Sequence, residues 1–235
     1  MILESVVIVG FALLLDFFIG DPKTKYHPTA WMGKLIALLV PFTKSNSAKK
    51  ELIGGVLIVG IIVATVCTVL VVLDIGISLL TIDIVSLVVS IAIGSILLKT
   101  TIAIRGMQIH ALAVFDAVEK GDLDSARNHL SMIVKRDTKH LDKNHILSAV
   151  LESVSENTVD GVTGPLFYYA IFGLPGAFVY RVINTIDSMI GYKTTLFKNV
   201  GWFGAKCDTV LNYLPSRLTA LVMILGALIL GYNWK

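Results

Sequence analysis

The amino-acid sequence predicts an all-α, polytopic integral membrane protein. Of its 235 residues, 55% are hydrophobic and only 16% are charged, whereas an average soluble domain carries about 25% charged residues. The mean hydropathy is +0.78, and residues 52–73 contain no charged side chain. A helix of about 20 apolar residues is long enough to cross a bilayer. We therefore expect residues 1–235 to form a single membrane-embedded domain.

The first half of the chain contains most of the predicted membrane helices. Residues 2–20 are apolar, and residues 20–34 are predicted to form a loop because proline lacks a backbone donor and restricts the residue before it. A short apolar segment, 35–42, is expected to end at its proline. Residues 52–73 and 84–98 are predicted to be the next two membrane helices.

The chain then turns polar, which predicts a cytoplasmic helical insertion at about 105–160. Breaks near Gly121 and within 137–142 divide its first part into two soluble helices. A third helix, 145–160, is expected to end at Gly161 because glycine commonly terminates helices.

The distribution of basic residues predicts the orientation in the membrane. Lys and Arg concentrate in short cytoplasmic loops, and the segments 21–51, 99–160 and 181–217 are all rich in them. The segment 74–83 has two acidic residues and no basic one, so it should lie outside. The N-terminus is then outside as well, and a last helix, 218–232, also ends there.

The apolar segment 162–180 is predicted to be a re-entrant or broken hairpin. Both of its flanks are basic and should be cytoplasmic, which one crossing cannot satisfy. Gly173, Pro175 and Gly176 are the expected breaking point. Non-helical backbone at membrane depth is tolerated where protein or a water-filled cavity covers it.

Three acidic residues are spaced to line one face of the third helix. Glu152, Glu156 and Asp160 follow one another at intervals of four, a spacing at which like charges repel by a few tenths of a kcal/mol. A cation removes that repulsion, and carboxylates with Asn157 are the oxygen ligands that Mg²⁺ takes together with substrate phosphates. The alternative is a solvated acidic face.

Further polar residues lie on either side of the predicted hairpin, and others lie in the first loop of the chain. Arg and Lys suit phosphate or carboxylate groups, although basic flanks of membrane segments also have a purely topological explanation. Turn chemistry is likewise an alternative explanation for the Asp-Pro pair of the first loop. The residues concerned are Asp21, His27, Arg181, Asn184, Asp187, Lys193, Asp208, Asn212 and Arg217.

Several function classes are disfavoured by the sequence. The formal net charge of +3 is too small to indicate nucleic-acid binding, and the two cysteines match no disulfide or metal motif. No Walker-type phosphate loop is present. The polar groups gather on the predicted cytoplasmic side, which favours chemistry on a cytosolic phosphate compound over transport, since a transporter needs polar groups near the midplane.

Five segments together resemble the CobD/CbiB family of cobalamin biosynthesis. They are long, occur in the family's order and cover most of the chain. They are GDPKTKYHP (20–28), RDT (136–138), ESVSENTVDGVTGPLF (152–167), YRVINTIDSMIGYK (180–193) and DTVLNYLPSRLTAL (208–221).

The resemblance implies an adenosylcobinamide-phosphate synthase in the cell membrane with its active site facing the cytoplasm. Such an enzyme uses ATP to join adenosylcobyric acid to (R)-1-aminopropan-2-ol or its O-phosphate. Mg²⁺ would accompany the nucleotide. The implied catalytic residues are Glu156, Asp187 and Asp208, and the implied metal ligands are Glu152, Glu156 and Asp160. The implied substrate-binding residues are Asp21, His27, Arg136, Asn157, Arg181, Asn184, Lys193, Asn212 and Arg217.

The resemblance also leaves alternatives open. Family members usually continue past the final helix with a Pro-Asn-Ala-Gly-like segment, whereas this sequence stops at Lys235, so a short member, a fragment and a truncated form all remain possible. A corrinoid transporter or binding protein is the second reading, and a non-catalytic scaffold for the late cobalamin enzymes is the third. Association with those enzymes and a homo-oligomeric state also stay open.

Overall fold

A computed structural model describes residues 2–232, and in this range the chain is helical without strands. The predicted all-α class is therefore confirmed. The elements are α1 (Ile2–Ile19), a 3₁₀ turn (Thr24–Tyr26), α2 (Pro28–Thr43), α3 (Ala48–Ser78), α4 (Asp83–Lys99), α5 (Ile104–Glu119), α6 (Leu123–Ser131), α7 (Lys143–Thr158), a π-helical turn (Val159–Thr163), α8 (Gly164–Ile190), α9 (Trp202–Leu211) and α10 (Tyr213–Ile229).

The predicted polytopic architecture is confirmed by the length and composition of these helices. Within residues 2–232, four stretches are long and apolar enough to cross a membrane, and the pair α9–α10, bent by 43°, would make a fifth. Large apolar side chains such as Phe18 and Ile229 remain exposed on them, as expected of surfaces that face lipid. The four stretches are Ile2–Ile19, Ala48–Ser78, Asp83–Glu119 and Lys143–Ile190.

Three hydrophobic cores hold the helices together. Helix α1 packs against α4 around Ala12 and Leu98, while α2, α3, α8 and α9 share a second core around Ile62 and Ile186. The polar insertion α5–α7 has a core of its own, in which Val114 is fully buried. The insertion is thus a small helical unit, and α7 leads from it directly into α8.

The predicted broken hairpin is present within α8. Gly173 has non-helical backbone angles (φ 65°, ψ −154°), and the chain reverses there. The reversal brings the ring of Tyr168 into a stack on the ring of Tyr180, with centroids 5.4 Å apart. Residues 164–172 extend for only about 14 Å as a helix, roughly half of the hydrocarbon thickness of a bilayer. This geometry is that of a re-entrant hairpin with its two ends on one side.

The reversal depends on the backbone freedom of Gly173. Its φ and ψ lie in a region that only glycine readily occupies, and an alanine there costs about 1–3 kcal/mol. An added Cβ would meet only Pro175 Cδ, at an ordinary 3.9 Å, so the penalty is one of backbone conformation and not of space.

We expect Gly173→Ala to lower the thermal unfolding temperature of the detergent-solubilised protein. Gly60→Ala, at a helical position in α3 with open space around it, is the matched control and should leave this temperature unchanged or raise it. Equal unfolding temperatures for both variants would contradict the proposed role of the Gly173 backbone.

The prediction of a loop over residues 20–34 is wrong in its second half. Helix α2 begins at Pro28, where a missing backbone N–H costs nothing. His27 caps it, because its Nδ1 accepts a hydrogen bond from the Thr29 N–H at 3.2 Å. Pro41 also does not end this helix, which continues to Thr43. A proline in the last turn leaves few helical bonds to disrupt.

The prediction that Gly161 terminates the third helix is also wrong. The chain continues through the π-helical turn, in which the Gly164 N–H donates to the Val159 carbonyl. The wider turn keeps the backbone hydrogen-bonded while it accommodates one extra residue, and such turns are common at functional sites. The last helix, predicted to start at residue 218, begins at Tyr213.

Candidate active site

A cleft of about 510 Å³ lies between α7 and the second half of α8. Its outer edge is formed by the loop before α7 and by the residues that follow α8. The polar and charged side chains that line it are Lys135, Arg136, Glu152, Ser153, Glu156, Asn157, Asp160, Arg181, Asn184, Asp187, Ser188 and Tyr192. The cleft therefore joins the predicted acidic helix to the predicted hairpin flank, which the reversal within α8 brings back alongside α7.

One wall of the cleft is acidic. Glu152 at its rim accepts a hydrogen bond from Arg136 at 2.8 Å, while Glu156 lies about one turn further along α7. Asn157 is turned back to its own helix and donates to the Ser153 carbonyl at 2.8 Å. The π-helical turn places Asp160 at the inner end of this wall.

The opposite wall comes from the hairpin. Arg181 Nη1 donates to the backbone carbonyl of Asp160 at 3.2 Å and to Asn184 Oδ1 at 3.3 Å. Its Nε is buried without a hydrogen-bond partner among the described residues. Asp187 follows one turn later and is half-buried. A guanidinium and a carboxylate thus face the acidic wall across the cleft.

A polar network beneath the cleft ties three elements together. The hydroxyl of Tyr180, which is 1% exposed, donates to Asn212 Oδ1 at 2.6 Å. Asn212 Nδ2 in turn lies 3.1 Å from Asp160 Oδ1 and 3.0 Å from Asp208 Oδ2. Asp208 and Asn212 therefore lie behind Asp160 and do not line the cleft. Buried networks of this kind hold their members in one geometry when their groups are paired.

A second charged cluster joins α1, α4 and the loop after α1. Lys99 is 5% exposed and lies 2.8 Å from Asp21 Oδ1 and 3.5 Å from Asp16 Oδ1. Asp16, 1% exposed, also accepts from the Arg105 N–H at 3.0 Å. His27 Nε2 approaches Asp21 at 3.9 Å. This cluster contains the predicted pair Asp21 and His27.

Asp21 remains ionised throughout the physiological pH range. Burial raises its pKa, but hydrogen bonds from His27 and Lys99 outweigh that effect, so that the pKa falls to about 2. Because folding lowers this pKa, ionised Asp21 stabilises the folded protein at pH values above its ordinary pKa of 3.8. That stabilisation is lost as the pH falls towards 2. The cluster connects to the cleft through the backbone, because the Ala103 N–H donates to the Gly161 carbonyl at 3.0 Å.

Two predicted binding residues lie outside the cleft and outside the two polar clusters described above. Lys193 is exposed in the segment after α8 and is not part of the lining. Arg217 is exposed on α10, where its guanidinium lies 3.5 Å from the ring centre of Tyr213. A role for either residue in substrate binding remains a prediction.

Sequence reasoning missed three residues that the fold brings to these clusters. Lys135 lines the cleft, Lys99 is the buried cation of the second cluster, and Tyr180 anchors the network below Asp160. The only sequence signal for Lys135 was its position next to Arg136. Lys99 lies at the end of α4, where a basic residue also has a topological explanation.

The donor set suits a magnesium ion that arrives with a phosphate ligand. Four carboxylates line the cleft, but within residues 2–232 no three Asp, Glu, His or Cys side chains are grouped to hold a metal. Glu152 is paired with Arg136, and Asp160 is held by Asn212. Mg²⁺ is usually bound by one or two carboxylates together with substrate phosphates, which Glu156 with a neighbour can supply. The assignment of Glu152, Glu156 and Asp160 as ligands of magnesium remains a prediction.

Comparison with known proteins gives a consistent result. The family model described as "CobD/Cbib protein" matches residues 9–235. The "Probable cobalamin biosynthesis protein CobD" of Methanothermobacter thermautotrophicus is 39% identical over 233 residues, which cover 99% of this chain and 73% of the relative. The "Cobalamin biosynthesis protein CobD" of Leptospira interrogans is 39% identical over 97% of this chain and 70% of its own.

A third relative, the "Cobalamin biosynthesis protein CobD" of Clostridium perfringens, is 37% identical over 97% of this chain and 70% of its own. No solved structure shows significant similarity to the chain. The family model spans the acidic helix, the hairpin and the last two helices, which are the elements that build the cleft and its supporting network. The chain therefore belongs to the CobD/CbiB family of cobalamin biosynthesis proteins.

Proposed function

We propose that this chain is an ATP-dependent carbon–nitrogen ligase of the cell membrane. It joins the free carboxylate of adenosylcobyric acid to the amine of (R)-1-aminopropan-2-ol O-phosphate and forms adenosylcobinamide phosphate. The observation that carries the proposal is the cleft itself, in which carboxylates and basic groups from α7, α8 and the preceding loop face one another. Its cytoplasmic orientation follows from the basic residues of the segments that form it.

The reaction proceeds in two steps. A carboxylate oxygen of the corrinoid attacks the γ-phosphorus of ATP, so that an acyl phosphate forms and ADP leaves. The amine nitrogen then attacks the acyl carbon, the C–O bond to phosphate breaks, and inorganic phosphate leaves. The nitrogen loses a proton in this step, and a carboxylate of the protein accepts it.

The residues of the cleft divide these tasks by charge. Arg181 is fixed by two hydrogen bonds and presents positive charge to a phosphate group. Arg136, which is paired with Glu152, contributes a second guanidinium group at the rim. Asp187 and Glu156 are carboxylates within the lining and are placed to take up the proton. Glu156 would also help to hold a magnesium ion bound to the nucleotide, which would supply further charge neutralisation.

Asp208 has an indirect role in this proposal. It lies behind Asp160 and is bonded to Asn212, so it orients the network and does not touch the substrate. The base is therefore assigned to Asp187, which reaches the cleft.

Purified protein in detergent tests the proposal directly. Adenosylcobyric acid, aminopropanol phosphate and Mg–ATP are added, and corrinoid products are followed by mass with an ATP-free control. We expect adenosylcobinamide phosphate only when ATP is present. Corrinoid binding without product would favour the transporter or scaffold reading, unless a C-terminal segment appended from a longer relative brings turnover.

A further inference from the structure

Lys135 reaches across the cleft from the loop between α6 and α7. Its Nζ donates to the Ser188 carbonyl at 2.5 Å, and it lies 4.8 Å from the ring centre of Tyr192. Both partners are neutral, so the positive charge of Lys135 is held in place but is not neutralised by them. An anion entering the cleft offers this ammonium a stronger, charge-assisted hydrogen bond.

The two arginines of the cleft are less free to respond. Arg136 is ion-paired with Glu152 at 2.8 Å. Arg181 is fixed at the base by Asp160 and Asn184. Lys135 is exposed and carries its charge on a flexible four-carbon stem. Among the cations that line the cleft, it is the one that is exposed and has no ion-pair partner within residues 2–232.

Carboxylates line the same cleft as this lysine. Glu156 contributes from α7 and Asp187 from the helix that also carries Ser188, the hydrogen-bond partner of Lys135. The cleft thus places an ammonium group and two carboxylates in one lining. A small zwitterion, with a phosphate at one end and an ammonium at the other, matches this arrangement. The single phosphate of such a zwitterion needs only one cation, whereas a nucleotide triphosphate needs Mg²⁺ beside these carboxylates to offset its several negative charges.

We propose that Lys135 selects the phosphorylated form of the amine substrate. It binds the phosphate of aminopropanol phosphate, while Asp187 and Glu156 face the amine at the other end. This inference rests on the proposed ligase function and specifies which of its substrates the rim of the cleft holds. In Lys135→Met the phosphate loses its cation, and in Lys135→Arg the positive charge is kept.

Steady-state kinetics of the purified protein in detergent test the assignment. We expect Lys135→Met to raise KM for aminopropanol phosphate by about tenfold to a hundredfold, the loss of one hydrogen bond to a charged group. KM for ATP and KM for unphosphorylated aminopropanol should stay as in the wild type. Lys135→Arg should restore most of the affinity. Lys139→Met, an exposed lysine of the same loop outside the lining, is the matched control.

Other outcomes would overturn the assignment and can be told apart from failure of the ligase itself. An increase in KM for ATP in Lys135→Met would reassign Lys135 to the nucleotide. Equal increases in KM for aminopropanol phosphate and for aminopropanol would show that Lys135 does not bind the phosphate group. If the wild type forms no product, even with a C-terminal segment from a longer relative appended, the ligase proposal fails. Binding of aminopropanol phosphate, followed by its ³¹P NMR signal, then decides the role of Lys135, since binding equal in wild type and Lys135→Met would contradict it.

Discussion

Asp187→Asn is expected to lower kcat of the ligase reaction by about 10²–10⁴, the usual contribution of a positioned acid–base group. The change keeps the size of the side chain but removes its ability to accept a proton. Asp187 is half-buried in the cleft wall, about one turn beyond Asn184. Glu156→Gln is expected to reduce turnover as well, because Glu156 faces the same space from α7.

The measurement combines turnover with thermal unfolding in detergent. Both variants should unfold near the wild-type temperature, so that the loss of activity reflects chemistry and not folding. Asp116→Asn, an exposed carboxylate on α5 outside the cleft, is the matched control and should retain full turnover. Full activity in both Asp187→Asn and Glu156→Gln would remove the assignment of the base to this cleft.

Lys99→Met is expected to cause the largest loss of stability, about 3–5 kcal/mol, which is typical when one partner of a buried ion pair is removed. Lys99 is 5% exposed and lies against Asp16, itself 1% exposed. The methionine fills similar space but leaves a buried carboxylate without its cation. The unfolding temperature in detergent should fall accordingly.

A double substitution separates charge from packing. In Asp16→Asn/Lys99→Met both charges are absent, so part of the lost stability should return, because a neutral pair avoids the cost of an unpaired buried charge. Lys120→Met, at the exposed end of α5, is the control and should behave as the wild type. Equal unfolding temperatures for Lys99→Met and Lys120→Met would show that the cluster does not stabilise the fold.

Local sequence was enough to predict the class of protein and the outline of its membrane helices. Apolar length decides which segments can cross a bilayer, and this signal is local, so α1, α3 and α4 were predicted within a few residues. Both flanks of 162–180 are basic and should lie on the same side of the membrane, which a single crossing does not allow. This argument predicted the reversal of the chain that occurs at Gly173. The helix start at Pro28 was missed, although proline after a capping residue is a known signal for it.

The tertiary structure decided which polar residues meet. Glu156 and Asp187 share a cleft because the π-helical turn carries α7 directly into the hairpin and the reversal brings α8 back alongside it. Lys193 follows the same helix by a few residues but falls outside the lining, and Lys135 enters it from a distant loop. Spacing along a helix fixes which residues share a face. Which faces come together depends on how separate helices pack, and local sequence carries little of that information.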